Sequence, residues 1–358
     1  MAVISFKCPN CDGELIFDPT TQQDKCEYCD SKFSQEELDK MSPEMCTEQK
    51  AETPSGDIQD EKTGEEETQD AVVYTCPSCG AEIVTDATTA ATFCYYCHNP
   101  VILGGRLEGE FLPDKVIPFE ITREEAVKRF LEYVGRKKFV PKAFFSKQQI
   151  ETISGVYFPY WNYQADVENV MQGEAKKIRS WTMGDIRYTE TKVYHVRREG
   201  VVTLSNLTEN ALQKANADLA RGVMPYDFDK MQDFQMGYLS GFLAEKRDIE
   251  KETLTDKMQN QAKVYTDKMM RSTISGYNSV SIEDAKMRFR EENWFYCLLP
   301  IWTITYKGRD GKIYYYSMNG QTGEICGELP VDKKKLGLVS GAVSAAILIL
   351  GLIGGFLL

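Results

Sequence analysis

Eight of the chain's eleven cysteines fall into four C-x-x-C pairs, and the spacing of those pairs repeats. Cys8-Pro9-Asn10-Cys11, a gap of 14 residues and Cys26-Glu27-Tyr28-Cys29 form one copy. Cys76-Pro77-Ser78-Cys79, a gap of 14 and Cys94-Tyr95-Tyr96-Cys97 form the other, offset by 68 throughout. Between Cys8 and Cys29, ten of 22 positions are identical to their counterparts, among them Glu14/Glu82, Asp18/Asp86, Thr20/Thr88, Thr21/Thr89 and Tyr28/Tyr96. A repeat this regular means one small module built twice.

Each copy is too short to bury a core of its own, so a crosslink must substitute for one. Two cysteine pairs can place four thiolates tetrahedrally around Zn²⁺, and a full set of four leaves no open coordination position for chemistry. The expectation is two structural zinc sites, Cys8, Cys11, Cys26, Cys29 and Cys76, Cys79, Cys94, Cys97, each in a zinc ribbon. Glu14–Phe17 and Glu82–Thr85 would supply the short strands. A rubredoxin-type iron site would use the same ligands, although of the glycines it favours after each knuckle only Gly80 is present. Redox use of one C-x-x-C needs a thioredoxin-like βαβ context that is absent from the pattern. His98 follows Cys97 directly and is read as a surface or supporting residue, and His195 as an ordinary strand position. Cys46, Cys297 and Cys326 read as plain reduced thiols.

The net charge of −12 is local. Gln35 to Asp70 holds 13 Asp or Glu against three Lys, leaving the rest nearly neutral. Residues 39–71 are acidic, poor in apolar side chains and broken by Pro and Gly, so they read as a flexible linker between the ribbons. The near-neutral remainder is a poor footprint for nucleic acid. Lys7, Lys25 and Lys32 give the first ribbon slight positive character, but Tyr74 to Gly105 holds no Lys or Arg.

From about Gly109 an α+β, β-rich domain is expected. Thr122 and Glu125 look like a capping box that opens a helix with Val127, Phe130, Leu131 and Val134 on one face. Strands follow from Gly155 to Val202, then a helix over Thr208–Ala220. A longer helix is expected over Glu250–Arg271, with Leu254, Met258, Ala262, Tyr265 and Met269 on its stripe. Trp294–Tyr306 and Lys312–Met318 read as a hairpin across Gly308–Gly311. Phe158-Pro159-Tyr160-Trp161 and Leu299-Pro300-Ile301-Trp302 share a pattern and read as equivalent strands.

Leu336 to Leu358 carries no charge, and Lys333, Lys334 and Lys335 stand directly before it. A helix of that length would reach about 35 Å, enough for a bilayer, and flanking lysines mark the cytoplasmic side. The N-terminus shows no signal peptide. The expectation is a single-pass C-terminal anchor in the cell membrane with the preceding domains cytoplasmic. Small residues at Gly337, Gly341, Ala345, Gly351 and Gly355 would allow homo-oligomer formation through that transmembrane helix. The layout is then ribbon 1 at 1–38, linker at 39–71, ribbon 2 at 72–108, the α+β domain at 109–332, and basic flank plus anchor at 333–358.

The ribbon pairs, the Phe158–Trp161 strand, Tyr238-Leu239-Ser240-Gly241-Phe242-Leu243-Ala244-Glu245, and Leu298–Trp302 running on to Asn319–Gly323 together resemble the bacterial TFIIB-type zinc-ribbon membrane proteins of the Bacillus YdjG-type family. The resemblance implies a cytosol-facing membrane adaptor associated with phage-shock protein A homologues and SPFH-domain partners in envelope stress. The long acidic linker and the single terminal membrane segment depart from that pattern.

Three functions compete for such a layout. In the first, the ribbons present rigid surfaces to a protein partner, with Tyr28, Tyr95 and Tyr96 as contacts because aromatic residues dominate binding hot spots. Pro9, Asn10, Glu27, Pro77 and Ser78 stand beside them at the knuckle tips. In the second, a membrane-tethered nucleic-acid-binding protein, the ribbons touch phosphates. An enzyme comes last: no phosphate loop, nucleophile elbow or H-E-x-x-H is present.

Overall fold

The computed structural model describes residues 2–38, 49–50, 72–94, 96–214, 222–308 and 311–356. Nearly all of the 39–71 linker and Tyr95 therefore lie outside the described residues. The chain divides into two compact units, the first comprising Met1–Pro159, Leu212–Lys246 and Leu298–Leu358, the second Tyr160–Ala211 and Arg247–Cys297.

The second unit is a twisted β-ribbon with a helix on one face. Its main hairpin is antiparallel from Tyr160↔Asn210 to Met183↔Ile186, with one irregularity between Tyr163 and Ala165. Alternate side chains on a strand share a face, and Val167, Met171 and Ala175 pack there with Val196, Val202 and Leu204. The helix Lys251–Ser272 covers them with Met258, Ala262 and Met270. Its buried positions, Met258, Ala262, Thr266 and Met270, recur every four residues. The expected stripe is thus correct through Ala262 and then shifts: Tyr265 and Met269 are exposed. Gly173 has no room for a Cβ, which would run into the Ser281 carbonyl oxygen. Indole Nε1 of Trp161 donates to the Ile249 carbonyl at 2.8 Å, and the Arg247 guanidinium lies 5.0 Å from its ring. The helix expected over Thr208–Ala220 is corrected where it is described. The strand Ile186–Asn210 runs through its start, because Thr208 and Glu209 stay in register with Asn162 and Trp161.

In the first unit, the strand Thr89–Phe93 of ribbon 2 lies between Pro100–Ile102 and Leu243–Glu245. Leu243 and Ala244 in turn pair in parallel with Val156 and Tyr157. The hairpin expected near the C-terminus is present, with Ile301↔Asn319 through Lys307↔Ile313 in register. The helix Arg123–Gly135 begins at Thr122, whose hydroxyl accepts the Glu125 N–H at 3.3 Å. The Glu125 carboxylate pairs with Arg129 at 3.0 Å. Ala126, Phe130 and Val134 are the buried face, and Leu131 is exposed. Phe119 and Phe242 stack in parallel at 4.2 Å, and Trp302 meets Phe119 edge-on at 5.1 Å. Indole Nε1 of Trp302 donates to the Ile121 carbonyl at 3.0 Å. This is the same kind of contact that Trp161 makes in the other unit.

The C-terminal helix, Lys333–Phe356, forms where it was expected. Among the described residues no helix is long and apolar enough to cross a membrane. The expected transmembrane anchor, and the cell-membrane address resting on it, are corrected. Self-association through a transmembrane helix rested on the same expectation.

Candidate metal centres

The repeat's geometry starts in its backbone. In all four knuckles the first cysteine donates its N–H to the carbonyl five residues on: Gly13 (2.7 Å), Ser31 (2.9 Å), Ala81 (2.8 Å) and Asn99 (2.9 Å). Its own carbonyl accepts from the residue four on: Asp12 (2.8 Å), Asp30 (3.0 Å), Gly80 (2.9 Å) and His98 (2.9 Å). Those four residues take the left-handed conformation, with φ of 60°, 57°, 76° and 60°. Gly, Asn and Asp enter that region most easily. His98 is therefore the fourth instance of a turn position, which the sequence alone did not reveal. His195 sits in its strand with Nδ1 3.3 Å from the Gly173 carbonyl.

The knuckles bring the sulfurs together. Cys8, Cys11, Cys26 and Cys29 form one set and Cys76, Cys79, Cys94 and Cys97 the other, with all sulfurs of a set within 4.8 Å of one another. Sγ–Sγ separations are 3.5 Å for Cys8–Cys29 and 3.4 Å for Cys11–Cys26. In the second set Cys76–Cys97 and Cys79–Cys94 are both 3.7 Å. Four sulfurs at about 2.3 Å from a tetrahedral zinc ion lie about 3.8 Å apart. Gly13 closes the first cradle: a Cβ there would come within 2.6 Å of the Tyr28 ring and within 3.3 Å of the Cys26 and Cys11 sulfurs. Both sets fit a structural zinc ion.

The thiols show why a cation belongs there. The Ser31 hydroxyl and N–H bring Cys29 down to about 6. Burial raises Cys94, but the N–H groups of Cys97 and Tyr96 outweigh it and bring the thiol to about 7. Against an N–H from Gly13, the Cys26 and Cys29 sulfurs push Cys11 up to about 12. Burial, together with the Cys79 and Cys94 sulfurs, does the same to Cys97, also about 12. Thiolates this crowded repel one another, and a divalent ion lets all four ionise.

The ribbons are locked together. Glu14 of the first accepts from its own Lys7 (2.7 Å) and from Ser78 (3.0 Å) and Asn99 (2.7 Å) of the second. Ile4 and Ile102 exchange backbone hydrogen bonds of 2.8 and 3.0 Å. Both ribbons also dock on the segment Tyr238–Glu245. Phe17 N–H donates to the Ser240 carbonyl at 3.1 Å, the Ser240 hydroxyl donates to the Leu15 carbonyl, and the Phe17 ring meets Tyr238 edge-on at 5.2 Å. From ribbon 2, Ala91 and Thr89 pair with Ala244 and Glu245, and the Thr88 hydroxyl donates to Glu245 at 2.8 Å.

The matched Asp and Thr positions now have a role. Asp18 accepts from the Thr20 N–H and the Thr21 hydroxyl, and Asp86 accepts from the N–H groups of Thr88 and Thr89, so each carboxylate braces a turn. Asp86 and Glu245 also share Lys214, at 2.7 and 2.9 Å. Arg106 lies across the Tyr74 ring at 5.0 Å and donates to the Thr89 carbonyl. Tyr28 and Tyr96, equivalent in the repeat, are 80% and 73% exposed. Lys333, Lys334 and Lys335 are exposed at the start of the last helix.

No family model matches the chain, and no solved structure matches it. A Bacillus subtilis (strain 168) protein described as "Uncharacterized protein YdjG" is 31% identical over 358 residues, covering 99% of each chain. With that identity over nearly the whole length of both, and with two four-cysteine sets fitted for zinc, the chain belongs to the family of YdjG.

Proposed function

We propose that the chain is an adaptor whose recognition surface is the pair of docked zinc ribbons. The observation that carries this is the exposure of Tyr28 and Tyr96 at equivalent knuckle tips. Exposed aromatic rings on a rigid frame lose little side-chain entropy when a partner covers them. Zinc supplies the rigidity and, with four thiolates around it, no open coordination position. No catalytic residue is part of the proposal. The resemblance drawn from the sequence adds phage-shock protein A-like and SPFH-domain proteins, in an envelope-stress setting, as the partners to test first.

The test is capture from cells with tagged wild-type chain and with the double variant Tyr28→Ala/Tyr96→Ala. A specific partner retained by the wild type and lost by the double variant, while both bind two zinc ions, supports the reading. A partner set unchanged by the double variant and by removal of the metal contradicts it.

A further inference from the structure

A cavity of about 550 Å³ opens beside the start of the C-terminal helix. Tyr306 and Tyr314, cross-strand partners in the C-terminal hairpin, line it together with Val140, Pro141 and Pro330, and Lys333 to Lys335 belong to its lining. Three segments distant in sequence meet there. Asp332 N–H donates to the Phe139 carbonyl at 2.7 Å, Phe144 meets Tyr306 edge-on at 5.3 Å, and Glu328 N–H donates to the Tyr315 carbonyl at 3.0 Å.

Those segments are strongly basic. Residues 133–147, 306–315 and 328–335 hold eleven Lys or Arg against three Asp or Glu, in a chain of net charge −12. Two of the three acids are engaged: Glu328 pairs with Lys312 at 2.5 Å, and Asp332 accepts the N–H groups of Lys334 and Lys335 at 3.1 Å. Among the described residues the ammonium groups of Lys333, Lys334 and Lys335 make no ion pair. Of these cations Lys333, Lys334 and Lys335 line the cavity itself, with Asp332 the one carboxylate in its lining, so an anion placed there would meet three ammonium groups that hold no carboxylate.

We propose that this cavity binds a phosphate-bearing small molecule, its phosphate held by Lys333, Lys334 and Lys335 and its organic part lying against Tyr306 and Tyr314. Lysines bind phosphate as compact point charges. Tyrosine rings give a flat surface for a nucleobase or an acyl chain, and 550 Å³ lies within the size range of small-molecule sites. The shared chemistry, phosphate on an apolar or planar body, is common to a free nucleotide and a lipid headgroup.

The experiment is calorimetric titration of the zinc-loaded full chain with inorganic phosphate, a nucleoside triphosphate and soluble dioctanoyl phosphatidylglycerol. Saturable one-to-one binding of the nucleotide or of the phospholipid supports the proposal and says which source supplies the phosphate. That binding is expected to weaken about tenfold in Lys333→Gln/Lys334→Gln/Lys335→Gln, all on exposed positions, and to fall with rising salt. Tyr314→Ala is expected to weaken both organic probes and leave inorganic phosphate unchanged. An unchanged tryptophan-fluorescence unfolding midpoint in urea shows that each variant is folded. Failure of every probe to saturate, saturation by inorganic phosphate alone, or binding indifferent to the triple lysine change overturns the proposal.

Discussion

Glu14 of the first ribbon accepts a 2.7 Å hydrogen bond from Asn99 of the second, 85 residues away in sequence. The same oxygen takes Ser78 and Lys7, and the carboxylate is largely buried. Glu14→Ala is expected to destabilise the first unit by about 2–3 kcal/mol, because it strands two donors and a lysine at once. Glu14→Gln, which keeps an acceptor, should cost less. Urea unfolding monitored by tryptophan fluorescence measures both.

Gly241 and Gly80 both have positive φ, 84° and 76°, but their surroundings differ. A Cβ at Gly80 meets nothing within 4 Å, whereas one at Gly241 runs into the Ile16 side chain. Gly80→Ala should cost about 1 kcal/mol of backbone strain alone. Gly241→Ala should cost about 2–3 kcal/mol, since overpacking is added to that strain. Chemical denaturation of the two variants separates the contributions, and faster proteolysis near Leu15 in Gly241→Ala would show that ribbon 1 has loosened.

Asp86 sets an acid limit on ribbon 2. Burial raises its carboxyl, but Lys214 and the Thr89 hydrogen bonds outweigh that and hold it well below the usual carboxylate range. Glu245, more deeply buried beside the same lysine, stays above its own ordinary value. A carboxyl whose folded value is depressed adds stability above its unfolded value of about 3.9, and that stability is lost as pH falls through the folded value. Stability should therefore drop below about pH 4 in the wild type and less steeply in Asp86→Asn. Denaturation series from pH 6 to 3, with zinc content followed at each pH, check this. At neutral pH Lys214→Met should destabilise by about 2–4 kcal/mol, because two carboxylates then face each other without a cation.

Local signals were legible where local chemistry decides the outcome. Cysteine spacing located both metal sets, Thr122 announced its helix, and the C-terminal hairpin formed across the predicted turn. The helix stripe over Lys251–Ser272 slipped after Ala262 because packing against Met171 and its neighbours, rather than periodicity, selects Thr266 and Met270. Glu14 was visible as a repeated residue, but two of its three partners, Ser78 and Asn99, belong to the other copy, and a one-dimensional repeat cannot show a contact between its copies. Net charge is as coarse a guide. Averaged along the chain it hides the three lysines that line a cavity beside the C-terminal helix. Length, absence of charge and flanking lysines suggest a span at the C-terminus, but among the described residues no helix is long and apolar enough to cross a membrane.

The central claim is that two closed four-thiolate sites staple the N-terminal repeat. Metal analysis combined with zinc X-ray absorption on the purified full chain tests it most directly. The account predicts two zinc ions per chain, each surrounded by four sulfurs at about 2.3 Å, with one ion lost in Cys11→Ser and one in Cys76→Ser. Fewer than two metal ions in a folded wild-type chain, or nitrogen or oxygen in the coordination sphere, would contradict it.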